Sequence, residues 1–136
     1  MVVDCSYIGD SIAVGLQQLD PRCAVHAKIG ANTDYIVKHF AGQGGLRYTI
    51  ISMGSNWPDN PHNIENIIEL RRGIRSDKVI WILPYNRKIA CLIAKIAVQY
   101  RDSFVDLAPF NSKDHVHPAY KPVNKKINDI LDMVFD

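Results

Sequence analysis

The sequence has no apolar run long enough to cross a membrane, because Lys, Asn or Arg interrupts each run within a few residues. Neither sign of charge dominates: the formal net charge of its 136 residues is only +2, too small to favour nucleic acid or an anionic membrane as a partner. The N-terminus carries neither a basic nor an apolar signal segment, and its first residues are typical of a strand. We therefore expect a cytoplasmic protein, or one whose export signal was removed or never present.

Cysteine is scarce, with only Cys5, Cys23 and Cys91. An odd number without the spacing of metal ligands predicts that all three are reduced and mostly buried, and none follows a pattern typical of a catalytic thiol. Four of the five histidines also lack ligand-like spacing: His26, His39, His62 and His115. The sequence therefore predicts no metal site and no cofactor.

Short apolar runs alternate with longer amphipathic segments, which is typical of parallel strands joined by crossover helices. The predicted strands are 2–8, 24–29, 48–52, 78–83 and 103–107. The predicted helices are 11–19, 32–40, 63–72, 87–100 and 119–135. Without repeats or linkers, 1–136 forms one domain. We predict an α/β fold, a three-layer α/β/α sandwich around a five-stranded parallel flavodoxin-like sheet.

Four short blocks of polar residues and glycine each follow a predicted strand. They are Gly9-Asp10-Ser11, Gly30, Gly54-Ser55-Asn56 and Asp114-His115-Val116-His117. The carboxyl ends of parallel strands lie on one edge of the sheet, where ligands bind. The blocks should therefore converge on one rim, although more than a hundred residues separate the first from the last. The glycine-rich segment 42–45 precedes a strand, so it does not fit a phosphate-binding loop.

The first and last blocks contain the residue types of nucleophilic catalysis. Ser11 stands where a strand turns into a helix, and His117 is a candidate base with Asp114 three residues before it. At that spacing, a carboxylate in a turn can hold the imidazole of the same loop in one tautomer. The alternatives are an N-cap serine and a solvated Asp/His loop. Asp10 is expected to fix the turn through its side chain rather than to act as a base.

The two middle blocks offer hydrogen-bond donors. The side-chain amide of Asn56 and the unobstructed backbone N–H of Gly30 could join the N–H of Ser11 in an oxyanion hole. Each residue also has a simpler interpretation, as a turn glycine or a turn asparagine before Trp57-Pro58.

The ordered set Ser11, Gly30, Asn56 and His117 resembles the SGNH hydrolases, which include the GDSL esterases and lipases. Ile12 replaces the usual Leu of the first block, and the chain is shorter than many members. The resemblance implies a serine esterase with Ser11 as nucleophile, His117 as base and Asp114 as its orienting carboxylate. It also implies an oxyanion hole formed by Ser11, Gly30 and Asn56.

The sequence indicates less about the substrate than about the reaction. Trp57, Tyr85 and Phe110 follow strands on the same rim, where they could line a groove for a sugar or an acyl group, or pack the loops down. We expect a short acyl ester of a small molecule or a glycan, such as a carbohydrate acetyl group. The alternatives are a catalytically silent module that binds a glycan or a protein, and a flavodoxin-like nucleotide or redox module. The same machinery serves a hydrolase or an acyltransferase, and the sequence does not indicate the oligomeric state.

Overall fold

Five strands and five helices alternate in the computed structural model, which describes residues 4–135. The strands are β1 (Cys5–Gly9), β2 (Ala24–Ala27), β3 (Tyr48–Ser52), β4 (Lys78–Leu83) and β5 (Ser103–Asp106). The helices are α1 (Ser11–Gln18), α2 (Thr33–Phe40), α3 (Asn63–Arg72), α4 (Arg87–Gln99) and α5 (Tyr120–Phe135). The predicted start of the first strand, at residues 2–3, lies outside the described residues.

The strands form one parallel sheet in the order β2-β1-β3-β4-β5. One face packs against α2, α3 and α4 through side chains such as Ile36, Ile67 and Ile93. The other face packs against α1 and α5, with Ile12 and Ile127 in its core. The prediction of a three-layer α/β/α sandwich with a flavodoxin-like sheet is confirmed. Within the described part of the chain, no helix is both long enough and apolar enough to cross a bilayer.

The second strand ends at Ala27, two residues before the predicted end at Ile29. Lys28 N–H still donates to the Gly9 carbonyl oxygen (3.0 Å), but the Lys28 carbonyl then accepts from Ala31 N–H (3.1 Å) and closes a turn. Apolar Ile29 is exposed in this turn rather than buried in the strand. The predicted strand is too long because the apolar side chain of Ile29 is typical of a buried position. The turn brings Gly30 onto the rim next to the end of β1.

The prediction of three reduced cysteines is wrong for Cys5 and Cys23, which form a disulfide. The register of β1 and β2 explains why these two cysteines are close enough to bond. Ser6 on β1 lies opposite Ala24 on β2, so the residues one position earlier meet with their Cα atoms 4.8 Å apart. Both are buried, as predicted, whereas Cys91 is a free and exposed thiol on α4. The two cysteines are 18 residues apart in the sequence, and that spacing alone does not indicate a contact that depends on strand register.

Candidate active site

Ser11 is the first residue of α1, directly after β1. The N-cap is Asp10, whose Oδ1 accepts a hydrogen bond from the Ile12 N–H (3.1 Å). The predicted role of Asp10 in fixing the turn is thus confirmed, and the interpretation of Ser11 as the N-cap is wrong. Because Asp10 caps the helix, the Ser11 hydroxyl is not needed for that purpose. The Ser11 N–H belongs to the first turn of α1, where backbone N–H groups have no partner within the helix.

The chain brings Ser11, His117 and Asp114 together. Ser11 Oγ lies 2.7 Å from His117 Nε2, across 106 positions of sequence. His117 Nδ1 lies 2.7 Å from Asp114 Oδ2. The side chains of His117 and Asp114 are 43% and 55% exposed, so this rim is open to water. Two short contacts therefore connect a carboxylate to a hydroxyl through one imidazole.

The segment before α5 holds Asp114 by several hydrogen bonds. Asp114 Oδ1 accepts from the backbone N–H groups of Val116 (2.9 Å) and His117 (2.8 Å). His115, between Asp114 and Val116, has a left-handed backbone with φ of 59°. The hydrogen bond that Asp114 accepts from the His117 side chain holds the pKa of the Asp114 carboxyl well below its usual range. The two backbone N–H groups lower this pKa further. The carboxylate that faces His117 is therefore ionised and fixed in direction.

Asn56 and Gly30 meet on the neighbouring part of the rim. Asn56 Nδ2 donates to the carbonyl oxygen of Ala31 (2.9 Å), the residue after Gly30. A side-chain amide has two N–H protons, so this bond orients Asn56 and leaves a second proton to donate. Gly30 has φ of 79°, and a Cβ built on it would meet no heavy atom within 4 Å. The backbone at Gly30 thus borders open space beside the Asn56 amide.

Asp10 also connects the turn at Ser11 to the end of β3. Its Oδ1 accepts from Ser52 Oγ (2.9 Å), and its N–H donates to the Ser52 carbonyl oxygen (3.1 Å). Asp10 is fully buried, and among the described residues its Oδ2 has no hydrogen-bond partner. Burial raises the pKa of Asp10 to about 6, although the hydrogen bond from Ser52 and nearby backbone N–H groups oppose the shift.

The three residues predicted to contact substrate differ in their surroundings. The Tyr85 hydroxyl donates to the Phe110 carbonyl oxygen (2.9 Å), and both rings pack against the core under α1 and α5. Trp57, directly after Asn56, is 52% exposed and has a left-handed backbone with φ of 53°. The structure therefore leaves Trp57 free to contact a ligand, while Tyr85 and Phe110 fasten two rim loops together.

Two cavities border the Asp114–His117 segment. One, of about 550 Å³, is lined by 111–114 and 117–119. The other, of about 260 Å³, lies between the Ser55–Pro58 side of the rim, Tyr85 and His115. Both open to solvent; His117 lines the larger one, and Asp114 lines both.

Known structures share this arrangement of strands and helices, although neither a family model nor a curated protein matches the sequence. The C-terminal catalytic domain of peptidoglycan O-acetyltransferase A from Streptococcus pneumoniae aligns with a TM-score of 0.62 at 16% identity, over 98% of this chain and 95% of that one. A protein from Bacteroides fragilis assigned as an acylhydrolase aligns at 0.68 and 16% identity, over 96% and 87%. Est24, a carbohydrate acetylesterase from Sinorhizobium meliloti, aligns at 0.57 and 12% identity, over 95% and 96%. The chain shares the fold of these proteins.

Within this fold, the structure contains two contacts that the sequence did not predict. One is the bond between Asp10 and Ser52; its only sequence signal is a polar residue at the end of an apolar strand. The other is Ser112, whose hydroxyl donates to the His117 carbonyl oxygen (2.8 Å) and lies 3.2 Å from Asp114 Oδ1. A serine two residues before the Asp114 block gave no signal of its own.

One group of potential metal ligands lies together among residues 4–135. Cys5, Asp20 and Cys23 place their ligand atoms within 4.8 Å of one another. The disulfide leaves neither sulfur as a thiolate, and the Asp20 carboxylate accepts from the hydroxyls of Tyr48 (2.9 Å) and Tyr7 (3.2 Å). The group stands near the start of β1, whereas Ser11 follows its end. It is therefore separate from the site at the rim.

Proposed function

We propose that this protein is a serine esterase that transfers a short acyl group from an ester through an acyl-enzyme on Ser11. The observation that carries the proposal is the pair of 2.7 Å contacts that connect Ser11 Oγ to His117 and His117 to Asp114. Activation of a serine hydroxyl requires a base within hydrogen-bond reach and a third group that orients the base. All three groups meet these distances.

In the first step, Ser11 Oγ attacks the carbonyl carbon of the ester while its proton passes to His117 Nε2. The ionised Asp114 accepts from His117 Nδ1–H and stabilises the imidazolium that forms. The depressed pKa of Asp114 suits this role, because a carboxylate that stayed protonated could not balance the new charge.

The tetrahedral intermediate carries a negative oxygen that needs donors already in place. The candidates are the backbone N–H groups of Ser11 and Gly30 and the second Nδ2 proton of Asn56. The bond from Asn56 to Ala31 fixes that amide beside the Gly30 backbone, which supports a joint role. Open space next to Gly30 leaves room for the reacting oxygen.

Collapse of the intermediate breaks the bond to the alcohol, which leaves with the proton held by His117. The acyl group remains as an ester on Ser11. A second hydroxyl compound then gives its proton to His117 Nε2 and attacks the carbonyl carbon of that ester. The bond to Ser11 Oγ breaks, the acyl group leaves on the new oxygen, and His117 returns the proton to Ser11 Oγ. With water as the attacking compound the protein is a hydrolase, and we propose hydrolysis as its main reaction.

The open rim favours a short acyl group. His117 and Asp114 are about half exposed, and the cavities beside them open to solvent rather than forming a closed tunnel. Trp57 offers an exposed indole on which the ring of a sugar could stack. Two neighbours in fold are named for acetyl chemistry on carbohydrate or peptidoglycan, which supports an acetylated glycan as the substrate class.

The test is the hydrolysis of p-nitrophenyl acetate and its longer-chain homologues by the wild type and by Ser11→Ala. We expect turnover fastest on acetate, and a loss in kcat of roughly 10⁴-fold or more in the variant. Ser103→Ala, in β5 and outside the rim blocks, is the matched control and should keep wild-type activity.

Equal hydrolysis by the wild type and Ser11→Ala contradicts the mechanism. If neither protein hydrolyses any of these esters, a serine-reactive phosphonate separates two cases. Labelling of Ser11 indicates an active nucleophile with a narrower substrate range, whereas no labelling favours a silent module that binds a glycan or a protein.

A further inference from the structure

A cavity of about 530 Å³ lies between α3, α4 and the loop that follows β3. Its volume is within the range of sites that bind small molecules. Its lining includes residues 58–61 of the loop and the first two residues of α3, and none of the residues proposed for ester chemistry. It is therefore a second candidate site, apart from the rim around His117.

One wall of this α3–α4 cavity is cationic. Lys88, Cys91 and Lys95 are spaced three and four residues apart on α4, so they share one face of the helix. Neither lysine forms an ion pair within the part of the chain that the structure describes. Asp59, on the loop side, is the one acidic residue of the lining. The lining thus carries a net positive charge, from two lysines against one carboxylate.

The rest of the lining is largely apolar. Ile89 is buried, Leu92 is half-buried, and Ile64 on α3 is about half exposed at the cavity. An aliphatic surface next to unpaired ammonium groups is complementary to a molecule with one anionic end and an apolar body. It is less suited to a neutral sugar or to a fully polar ion.

We propose that the α3–α4 cavity binds a small organic anion. Its carboxylate or phosphate lies against Lys88 and Lys95. Its apolar body lies against Ile64, Ile89 and Leu92. Cys91 stands between the two lysines and reports occupancy, because among the described cysteines it alone is a free thiol.

The wall of the cavity is fixed relative to the rim. Asn63, a buried residue of the lining, donates from Nδ2 to the carbonyl oxygens of Pro58 (3.0 Å) and Trp57 (3.3 Å). Trp57 directly follows Asn56. The anion could thus be either the remote end of the ester substrate or a separate ligand, and the two sources differ in whether they compete with an ester.

The first experiment measures the rate at which Cys91 reacts with two aromatic disulfides. One is 5,5′-dithiobis(2-nitrobenzoate), an apolar body with carboxylates, and the other is the neutral 4,4′-dithiodipyridine. In each reaction the Cys91 thiolate attacks one sulfur, a mixed disulfide forms, the aromatic thiolate or thione leaves, and the cysteine proton goes to buffer. We expect the rate with the anionic reagent, divided by the rate with the neutral one, to fall about tenfold in Lys88→Gln/Lys95→Gln. The reason is that positive charge at the cavity raises the local concentration of an anion.

Two controls isolate the cavity. Lys38→Gln/Lys126→Gln lowers the net charge equally at exposed positions on α2 and α5, and should keep the wild-type ratio. Cys91→Ser should abolish the reaction with both reagents. A ratio that stays unchanged in the cavity variant, or that falls equally in the control variant, overturns the proposal.

The second experiment uses 4-phenylbutyrate to protect Cys91 from iodoacetamide, a neutral reagent. We expect saturable protection that the neutral 4-phenylbutyramide does not give and that the Lys88→Gln/Lys95→Gln variant loses. If 4-phenylbutyrate also inhibits p-nitrophenyl acetate hydrolysis competitively, the cavity holds the remote end of the ester substrate. If it protects Cys91 without inhibiting hydrolysis, the cavity holds a separate ligand. Equal protection by the acid and the amide contradicts the proposal, and none of these thiol readouts depends on esterase activity.

Discussion

Asp10 and Ser52 join the turn that carries Ser11 to the strand that leads to Asn56. The bond from Ser52 Oγ to Asp10 Oδ1 measures 2.9 Å, and the bond from Asp10 N–H to the Ser52 carbonyl oxygen measures 3.1 Å. The pair thus fixes the relative position of the proposed nucleophile and one proposed oxyanion donor. This geometry requires a buried carboxylate whose second oxygen has no partner among the described residues.

The stability conferred by Asp10 should depend on pH. Its pKa in the folded protein is raised from 3.8 to about 6, so the folded state binds this proton more tightly than the unfolded state. The contribution is therefore fully present below about pH 4 and is lost as the pH rises through 6. Relative to Asp10→Asn, the free energy of unfolding of the wild type should fall by on the order of 2–3 kcal/mol between pH 4 and pH 7. Urea denaturation across this range measures it.

A companion variant tests the cause. The hydrogen bond from Ser52 lowers the pKa of Asp10, so Ser52→Ala should move the pH window upward. It should also cost about 1–2 kcal/mol at neutral pH, because it removes a buried donor to a charged group. Parallel stability curves for the wild type and Asp10→Asn would show that the carboxyl titrates alike in the folded and unfolded states.

The disulfide should contribute to stability through the unfolded chain. Its partners are 18 residues apart, and cross-linking a loop of that length is worth about 3 kcal/mol. We expect dithiothreitol to lower the free energy of unfolding of the wild type by about this amount. The reductant should have no effect on Cys5→Ala/Cys23→Ala.

Cys91→Ala is the matched control, since this thiol is exposed and unpaired in the described structure. It should respond to the reductant as the wild type does. A titration that finds three free thiols in the unfolded, unreduced wild type would rule out the pair.

Asp114→Asn tests the orienting carboxylate. The amide has nearly the shape of the carboxylate but no charge, so it cannot stabilise the imidazolium and favours the wrong tautomer of His117. We expect kcat on p-nitrophenyl acetate to fall by up to about 10⁴-fold. Phosphonate labelling of Ser11 should slow in parallel, because it uses the same base. Wild-type rates in both assays would show that His117 works without Asp114.

The fold could be predicted from the sequence because each of its elements leaves a local signal. Asn32 caps α2 through its bond to Tyr35 N–H, and Gly73 ends α3; both residue types are typical of those positions. Errors arose where a local signal was ambiguous. Apolar Ile29 extended the predicted β2 into a turn, because hydrophobicity alone does not distinguish a buried strand end from an exposed loop residue.

Most of the candidate site could also be predicted, because all four blocks follow parallel strands and strand direction brings them to one rim. The contacts that could not be predicted depend on register or on a partner far along the chain. Ser52 contacts Asp10, which is 42 residues away in the sequence. Cys5 contacts Cys23 because the register of β1 and β2 places them opposite each other. The cavity beside Cys91 requires two helices and a loop in place, so no single segment indicates it.

Gly30 permits a prediction with a closely matched control. Gly30 and Gly42 have φ of 79° and 86°, and a Cβ at either position would meet nothing within 4 Å. Alanine should therefore cost each about 1–2 kcal/mol, from the left-handed backbone alone. Only Gly30, however, borders the Asn56 amide on the rim. If the oxyanion occupies the open space beside Gly30, the added methyl group obstructs it, so Gly30→Ala should lower kcat on p-nitrophenyl acetate by about 10–10³-fold, while Gly42→Ala keeps wild-type kcat. Equal kcat in two variants of equal stability would show that the oxyanion does not occupy the space beside Gly30.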